Sequence, residues 1–528
     1  MHAELDSVFR AALQRRQFLA STAALAVWPF LDLRIGEAAD RRIRMPDNPF
    51  QLGIASGDPA PDGFVLWTRL CSAPLQGGGM PPEDVQVEWQ VCNDEKMTQV
   101  ARRGVATAAV KWSHSVHVEV EGLEPDRVYW YQFKVGLNTS PVGRTRTAPA
   151  ADALPQVLRF AFASCQRYED GHYTAYEHMV RDDLHAVIHL GDYIYENSPK
   201  PGTPRRFDSP EILTLQDYRD RHAIYRTDPH LQATHAAFPW IVTWDDHEVD
   251  NNYASGISGD LTVSPEEFLK RRANAYQAYY EHMPLRRAAL PQGPNMDLYR
   301  RVRFGRLAEF SVLDTRQYRS DQPCGDGYKA PCQDVKDPRA TMLGEAQEKW
   351  LCQGLSASQS KWNILAQQVM LAPVNFAAGN PAAGDVKYSM DKWTGYEVAR
   401  TRLLKYLAEN RISNPVVLTG DVHCNWVNDL KTDFQNPDSP TVGTEFVGTS
   451  ITSTGDGSQT REGTPAVLAN NPFVKFFNSE RGYVRCQLTA SEWRSDYRTV
   501  EYVSRPGAPC LTRASFVIES DHAGAVKA

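Results

Sequence analysis

Five apolar segments, each ending abruptly in polar residue types, constrain this chain more than any other feature. These segments lie at residues 158–163, 186–190, 240–244, 362–366 and 415–419. They are followed by Ser-Cys, Gly-Asp, Asp-Asp-His, Gln-Gln and Gly-Asp-Val-His, respectively. Their lack of polar alternation predicts strands buried on both faces. Since ligands bind outside the carboxyl ends of strands in open α/β sheets, we expect the five ends to line one crevice.

Helical segments separate these strands and define the fold class. Residues 265–282 and 395–410 have the length and pattern of helices. Strands that alternate with helices predict an α/β layered domain, with sheets flanked by helices, over residues 155–520. A single Gly-Asp after a strand is usually a turn, but five polar strand ends in one domain are hard to explain as turns alone.

The preceding region, residues 46–150, has a different pattern. Residues 85–91 and 116–120 alternate apolar and polar side chains, as strands with one buried face do. A Leu-x-Pro turn at Leu123 precedes a Tyr-x-Tyr strand at Tyr129, which resembles the tyrosine corner of fibronectin-type domains. We therefore predict a small β-sandwich domain before the α/β domain.

The amino terminus is similar to an export signal. Arg15 and Arg16 precede an apolar run over residues 18–31, which is shorter than the roughly 20 residues of a membrane-spanning helix. This pattern predicts a twin-arginine signal over residues 1–38 and a periplasmic, secreted or surface location. An amphipathic helix of the mature protein is the alternative interpretation. No later segment is apolar enough to predict a membrane span.

Composition excludes one class of partner and raises a question about disulfides. The 528 residues include 57 basic and 64 acidic side chains, for a net charge of −7, which gives no reason to expect nucleic-acid binding. Nine cysteines leave at least one thiol unpaired. Cys324 and Cys332 flank a short Gly/Pro-containing loop and are the best candidate pair, Cys71 and Cys92 could form a second, and Cys165 is expected to stay free.

The polar strand ends also belong to longer motifs. Residues 191–196, 244–248 and 420–423 are similar to the motifs of the alkaline phosphatase D family, a branch of the metallophosphoesterases. Residues 162–166 and 313–319 fit the same family, as do residues 57–59 with 65–69 in the sandwich region. The resemblance covers nearly the whole mature chain, with its motifs in the expected order. It implies a metallophosphoesterase-type catalytic domain and hydrolysis of phosphoric esters.

The resemblance implies a first metal ion held by four residues. Asp192 would bridge two metal ions, and Tyr195, Cys165 and His423 would complete the first site. Thiolate and phenolate ligands favour a ferric ion, Fe3+. Without its motif, Cys165 would be interpreted as an ordinary buried thiol. Tyr195 could likewise be a core aromatic residue.

A second metal ion would lie among Asp192, Asp246 and Asn252, with Asp421 nearby. Oxygen ligands suit calcium, and Ca2+ is the ion that the family implies. Spacing alone does not choose between Asn251 and Asn252. Gln367 and Gln368 stand where related purple acid phosphatases have a histidine, which would make this site more oxygen-based.

The implied mechanism is attack of a metal-activated hydroxide on phosphorus. Asp246 would take part through the second metal ion. His247 is the candidate that protonates the leaving alkoxide or orients the phosphate. Arg316 is a possible phosphate clamp, although a structural salt bridge explains it as well.

Two further functions compete with hydrolysis of simple phosphomonoesters or phosphodiesters. One is a phospholipase D-like or teichoic-acid-type phosphodiesterase, whose partner would be a lipid head group or a phosphorylated polymer. The other is a non-catalytic surface protein that binds phosphate or glycans through the sandwich domain. A monomer is expected, and the sequence does not identify the physiological substrate.

Overall fold

The computed structural model describes residues 47–528, apart from residues 380, 382 and 383. The described residues belong to one compact unit. The predicted signal at residues 1–38 lies outside the described residues. Across the described part of the chain, none of the helices combines the length and apolarity needed to cross a membrane.

Twenty-four strands and seven α-helices make up the described chain. The strands are β1 Ile54–Ala60, β2 Gly63–Arg69, β3 Val85–Cys92, β4 Val100–Ala108, β5 Ser115–Val120, β6 Val128–Val135, β7 Asn138–Thr139, β8 Gly143–Arg146, β9 Leu158–Ala163, β10 Ala186–His189, β11 Pro239–Val242, β12 Arg300–Phe304, β13 Ala308–Val312, β14 Tyr328–Lys329, β15 Trp362–Ala366, β16 Tyr388–Ser389, β17 Pro415–Thr419, β18 Asn425–Lys431, β19 Thr441–Val447, β20 Val474–Asn478, β21 Arg481–Leu488, β22 Glu492–Val500, β23 Cys510–Glu519 and β24 Val526–Lys527. The helices are α1 Thr174–Met179, α2 Leu215–Arg226, α3 Pro229–Ala237, α4 Pro265–His282, α5 Gly344–Ala357, α6 Glu397–Glu409 and α7 Thr464–Asn470.

Two large mixed sheets pack face to face. The first has the strand order β24-β23-β22-β21-β9-β10-β11-β1-β2-β5, and the second has the order β12-β13-β15-β17-β19-β18-β20. The central strands β9, β10 and β11 are parallel, as are β13, β15, β17 and β19. Large apolar side chains such as Phe162, Ile188, Phe310 and Ile364 fill the space between the sheets. The predicted layered α/β fold is confirmed.

Helices cover the outer face of each sheet, which explains the unbroken apolar strands. In β10, Ile188 packs between the sheets, whereas Val187 faces outward into a core shared with helices α1–α4. In β15, Ile364 points inward, whereas Leu365 joins a core with α5 and α6. Side chains alternate across a strand, so both faces of these strands are buried.

The amino-terminal strands form the expected sandwich, but one of its sheets continues into the large one. Strand β1 pairs in parallel with β11, with Ser56 opposite Pro239, so β1, β2 and β5 extend the ten-stranded sheet. Strands β3, β4, β6, β7 and β8 form the second layer, and both layers share one apolar core. The predicted tyrosine corner is present, because the Glu124 backbone N–H donates to the Tyr129 hydroxyl at 2.9 Å.

The cysteines follow the prediction in part. Cys324 and Cys332 form a disulfide, and Cys165 is free. The suggested pair of Cys71 and Cys92 is wrong, since both are free, buried thiols. Cys71 lies just after β2, in a small core with Trp67, whereas Cys92 ends β3 in the other layer of the sandwich.

Candidate metal centre

The ends of strands from both large sheets meet at one place. Within the first sheet, the Cys165 N–H donates to the carbonyl oxygen of Gly191 at 3.1 Å. Two glycines make the close approach possible. A Cβ on Gly420 would lie 2.6 Å from the Ser164 Oγ, so β17 of the second sheet could not otherwise approach β9. Gly191 has a φ of 106°, and a Cβ there would lie 2.4 Å from the Asp245 nitrogen.

Five of the predicted site residues have left-handed backbone conformations. The φ angles are 57° at Cys165, 56° at Asp192, 55° at Asn252, 64° at Asp421 and 54° at His423. Each such conformation costs about 1–3 kcal/mol in a non-glycine residue and persists only where the surroundings impose it. Their concentration at one place indicates a site whose side chains are aimed at the expense of backbone stability.

One group of possible metal ligands consists of Cys165, Asp192 and His423, whose donor atoms all lie within 4.8 Å of one another. Tyr195 belongs with them, because its hydroxyl lies 2.9 Å from the Asp192 Oδ2 and 3.3 Å from the His423 Nε2. Ser453 Oγ donates to the same hydroxyl at 2.8 Å. All four residues predicted for the first metal ion are therefore brought together.

A second group consists of Asp192, Asp246 and His247, with donor atoms again within 4.8 Å of one another. Asp192 belongs to both groups, which is the position of a bridging ligand. The His247 Nδ1 lies 2.6 Å from the Glu196 Oε2, and its ring packs on the Tyr195 ring at a centroid distance of 4.2 Å. His247 is thus a member of the second group and contacts Tyr195 beside the first group; its role as a proton donor stays a prediction.

The two candidate asparagines differ in position. The half-buried Asn252 donates its backbone N–H to the Asp246 Oδ2 at 2.7 Å and its Nδ2 to the Asp326 Oδ2 at 2.6 Å. Asn251 is exposed, and its backbone N–H donates to the Glu196 Oε1 at 3.0 Å. Asn252 is therefore the asparagine beside Asp246, with its side-chain oxygen available for a cation.

Asp421 and Arg316 have protein partners already. The Lys392 ammonium forms an ion pair with the Asp421 carboxylate, and Asp421 belongs to neither ligand group found in the described chain. The guanidinium of Arg316 is fully buried and bonded to Asp245 and to Asp391, the latter at 2.8 and 3.2 Å. Its Nη2 also lies 3.7 Å from the Asp246 Oδ1. These contacts match the salt-bridge interpretation of Arg316, since its guanidinium is fully buried among carboxylates and has no exposed surface to offer a phosphate.

Gln368 is hydrogen-bonded to residues that follow strands of both sheets, and Gln367 is hydrogen-bonded beside it. The Gln368 Oε1 accepts from the Thr315 Oγ1 at 2.6 Å, and its Nε2 donates to the Thr243 Oγ1 at 2.9 Å. The Gln367 Oε1 accepts from the Trp393 Nε1 at 3.2 Å. Both side-chain oxygens are engaged by protein donors, so the expectation that these residues shape the second metal site finds no contact to support it.

The electrostatics of the two groups fit bound cations. Burial, reinforced by the Asp246 carboxylate, raises the pKa of Asp192 well above its usual value. Burial and Asp192 likewise raise the pKa of the Cys165 thiol. The Asp192 Oδ1 is buried without a hydrogen-bond partner among the described residues. A cation between these groups would favour their ionised forms and satisfy that oxygen, so the residues present fit a metal centre.

At Asp246 and His247, neighbouring charges shift the pKa in the direction opposite to the effect of burial. Burial works to raise the pKa of Asp246, but Arg316 and His247 outweigh it and lower that pKa to about 2. Burial works to lower the pKa of His247, but the Glu196 and Asp246 carboxylates raise it well above its ordinary value. Asp246 is thus held as a carboxylate, and His247 is held in contact with Glu196.

The sequence patterns did not predict several residues that support the candidate ligands. The Thr454 Oγ1 lies 2.7 Å from the His423 Nδ1. Glu248 accepts the backbone N–H groups of Asp192, Tyr193 and Asp245 at 3.1, 2.6 and 2.8 Å, and so fixes two strand ends at once. Glu196 and Glu248 lie in the motifs at residues 191–196 and 244–248, which could have suggested their roles. Thr454 lies in a loop without any comparable signal.

Comparisons with known proteins agree with this arrangement. The family model of the PhoD-like phosphatases matches residues 160–497, and the model of their N-terminal domain matches residues 36–149. The chain is 53% identical to alkaline phosphatase D of Bacillus subtilis (strain 168) over 481 residues, which covers 90% of this chain and 82% of that protein. A solved structure described as the structure of PhoD superposes with a TM-score of 0.89 at 52% identity and covers 92% of each chain. The chain therefore belongs to the PhoD-like phosphatase family and is a phosphoesterase.

Proposed function

We propose that this phosphoesterase hydrolyses phosphomonoesters, phosphodiesters or both at a two-metal centre bridged by Asp192. The observation that carries the proposal is the membership of Asp192 in both ligand groups, each with donor atoms within 4.8 Å of one another. When bound, the two metal ions would polarise the phosphate oxygens and lower the pKa of a water molecule, which makes it a nucleophile at moderate pH.

The donor atoms favour different metal ions in the two halves of the site. Cys165, Tyr195 and His423 would hold Fe3+ together with Asp192, because thiolate and phenolate suit a ferric ion. Asp192, Asp246 and the side-chain oxygen of Asn252 would hold Ca2+, which prefers oxygen ligands. We assign Asp421 a structural role: it forms an ion pair with Lys392 and lies in the turn that precedes His423.

His247 belongs to the second group of possible ligands, but we assign it instead the role of proton donor to the leaving alkoxide. Its Nδ1 is bonded to Glu196 at 2.6 Å, so Nε2 is the ring atom left to exchange a proton with the substrate. The Tyr195 ring packs on one face of the imidazole. Glu196 is fully engaged, since it also accepts the Asn251 N–H. Glu196 is thus a positioning residue that fixes the orientation and the protonated nitrogen of His247.

We predict that Glu196→Gln lowers kcat/KM by about 10- to 100-fold, the usual cost of losing a carboxylate that orients a site histidine. The loss should be larger for alkyl esters than for nitrophenyl esters, because alkoxides need protonation more than nitrophenolate does. Steady-state kinetics on both ester types measures this. Equal losses on both ester types would contradict proton donation by His247. Glu211→Gln is the control, because Glu211 is a half-exposed carboxylate paired with the buried Arg271.

The proposed function is tested by hydrolysis of a chromogenic phosphomonoester and the matching phosphodiester at alkaline pH. We expect turnover of at least one ester, its loss after chelation, and its return with calcium. The ratio of the two rates would assign the mono- or diester preference. Folded, metal-loaded protein that binds phosphate tightly but turns over neither ester would instead support the non-catalytic binding protein.

Export and domain limits remain proposals from the sequence. We propose that residues 1–38 direct export by the twin-arginine route, and that the domains span residues 46–150 and 155–520. The family matches to residues 36–149 and 160–497 are in keeping with these limits. Export of an already folded protein would allow the metal centre to be assembled before translocation, which suits a site that needs particular metal ions.

A further inference from the structure

A cavity of about 400 Å³ opens beside the metal centre and has an aromatic wall. Four rings follow one another along it. Tyr328 packs on Phe376 at 5.2 Å between ring centroids, Phe376 on Trp426 at 6.0 Å, and Trp426 on Phe477 at 4.5 Å. The wall is partly open to solvent, since Tyr328 is 47% exposed. A row of rings that is not fully covered offers a surface on which a flat apolar group can pack.

Residues that line the cavity are chain neighbours of residues at the metal centre in two places. Val422 and Cys424 line it, and His423, the residue between them, belongs to the first ligand group. On the other side, Tyr328 follows closely after Asp326, whose carboxylate accepts the Asn252 Nδ2 at 2.6 Å. A phosphate held at the centre would therefore have this cavity next to it, within reach of the alcohol portion of an ester.

The charge at the rim of the cavity indicates the kind of ligand that it would take. At the rim, Arg461 and Lys387 outnumber the one acid, Glu462, so a ligand that carries negative charge is favoured.

We propose that this cavity is the leaving-group subsite of the enzyme and selects phosphate esters of aromatic alcohols, preferentially those that carry a second anionic group. The inference rests on the proposed hydrolysis and deepens it. The alcohol's ring packs against Phe376, Trp426 and Phe477. Arg461 and Lys387 attract the additional negative charge.

Binding of the alcohol alone tests the subsite without any turnover. The probe is 2-naphthol-6-sulfonate, a fluorescent aromatic alcohol with one added anionic group, titrated into the full-length, metal-loaded protein. We expect Tyr328→Ala and Phe477→Ala each to weaken its binding by about 2- to 10-fold, the range for one lost aromatic contact. Phe434→Ala, at a half-buried ring outside the cavity, should change nothing.

Kinetics then links the subsite to the reaction. In Phe477→Ala, kcat/KM for 2-naphthyl phosphate should fall by the same about 2- to 10-fold, mostly through KM, with kcat/KM for methyl phosphate unchanged. Unchanged probe binding in both Tyr328→Ala and Phe477→Ala overturns the subsite, as does binding of cyclohexanol as tight as that of the probe. Variant-sensitive probe binding in a protein that hydrolyses no ester would keep the aromatic site and overturn the hydrolase.

Discussion

Replacing Asp192 with asparagine is expected to remove turnover of phosphoric esters while the protein stays folded. Asp192 is the one carboxylate common to both ligand groups, so its loss would weaken the binding of both metal ions at once. Changing a group that only orients a metal ligand costs about 10- to 100-fold, and we therefore expect a loss of more than about 100-fold here. Hydrolysis rates and metal content of the purified variant measure it.

The fold should tolerate this change. Burial and Asp246 raise the pKa of Asp192, which means that its ionised form is disfavoured in the metal-free protein. A neutral amide of the same shape removes that repulsion, so metal-free Asp192→Asn should melt no lower than metal-free wild type. Asp152→Asn, at an exposed carboxylate in the segment before β9, is the control. A variant at position 192 with wild-type activity would refute the bridging role.

Replacing Arg316 with methionine is expected to destabilise the protein by about 3–5 kcal/mol, the cost of removing one partner of a buried ion pair. The Arg316 guanidinium is fully buried and bonded to Asp245 and Asp391, with Asp246 at 3.7 Å. Removing it leaves three buried carboxylates without their shared cation. Chemical unfolding of metal-free protein measures the change in the free energy of unfolding.

Two further variants separate this structural role from a phosphate clamp. Arg316→Lys keeps the charge, but an ammonium cannot reach the acids with the geometry of a planar guanidinium, so intermediate stability is expected. Arg339→Met removes an exposed arginine paired with Asp337 and should leave stability nearly unchanged. If Arg316→Met kept wild-type stability and lost only phosphate affinity, the clamp interpretation would be right and the structural one wrong.

The sequence predicted the central strands well because they are buried on both faces. Strands β9, β15 and β17 and helix α4 have the bounds expected from the pattern. Helix α4 is defined by local signals, with Pro265 at its first turn and a capping box between Ser264 and Glu267. The assignment of strands to two facing sheets was not predicted, because apolar runs carry no information about which strand pairs with which.

The grouping of the candidate ligands was predicted where a motif follows a strand, and contacts between distant loops were missed. Cys165, Asp192 and His423 come shortly after strands β9, β10 and β17, and they lie close together as expected. The pairing of Asp421 with Lys392 and the contact of Thr454 with His423 join loops distant in sequence. Only the folded chain brings these residues together, so no local pattern could reveal them.

The most direct test of a two-metal centre is the metal content of purified, active protein, measured together with its visible absorption spectrum. We expect about two metal ions per chain, one iron and one calcium, and a visible band from charge transfer between Fe3+ and its thiolate and phenolate ligands. Both ions should be depleted in Asp192→Asn. A colourless, iron-free preparation with full activity would contradict the ferric assignment, and full activity with no bound metal would contradict the metal centre itself.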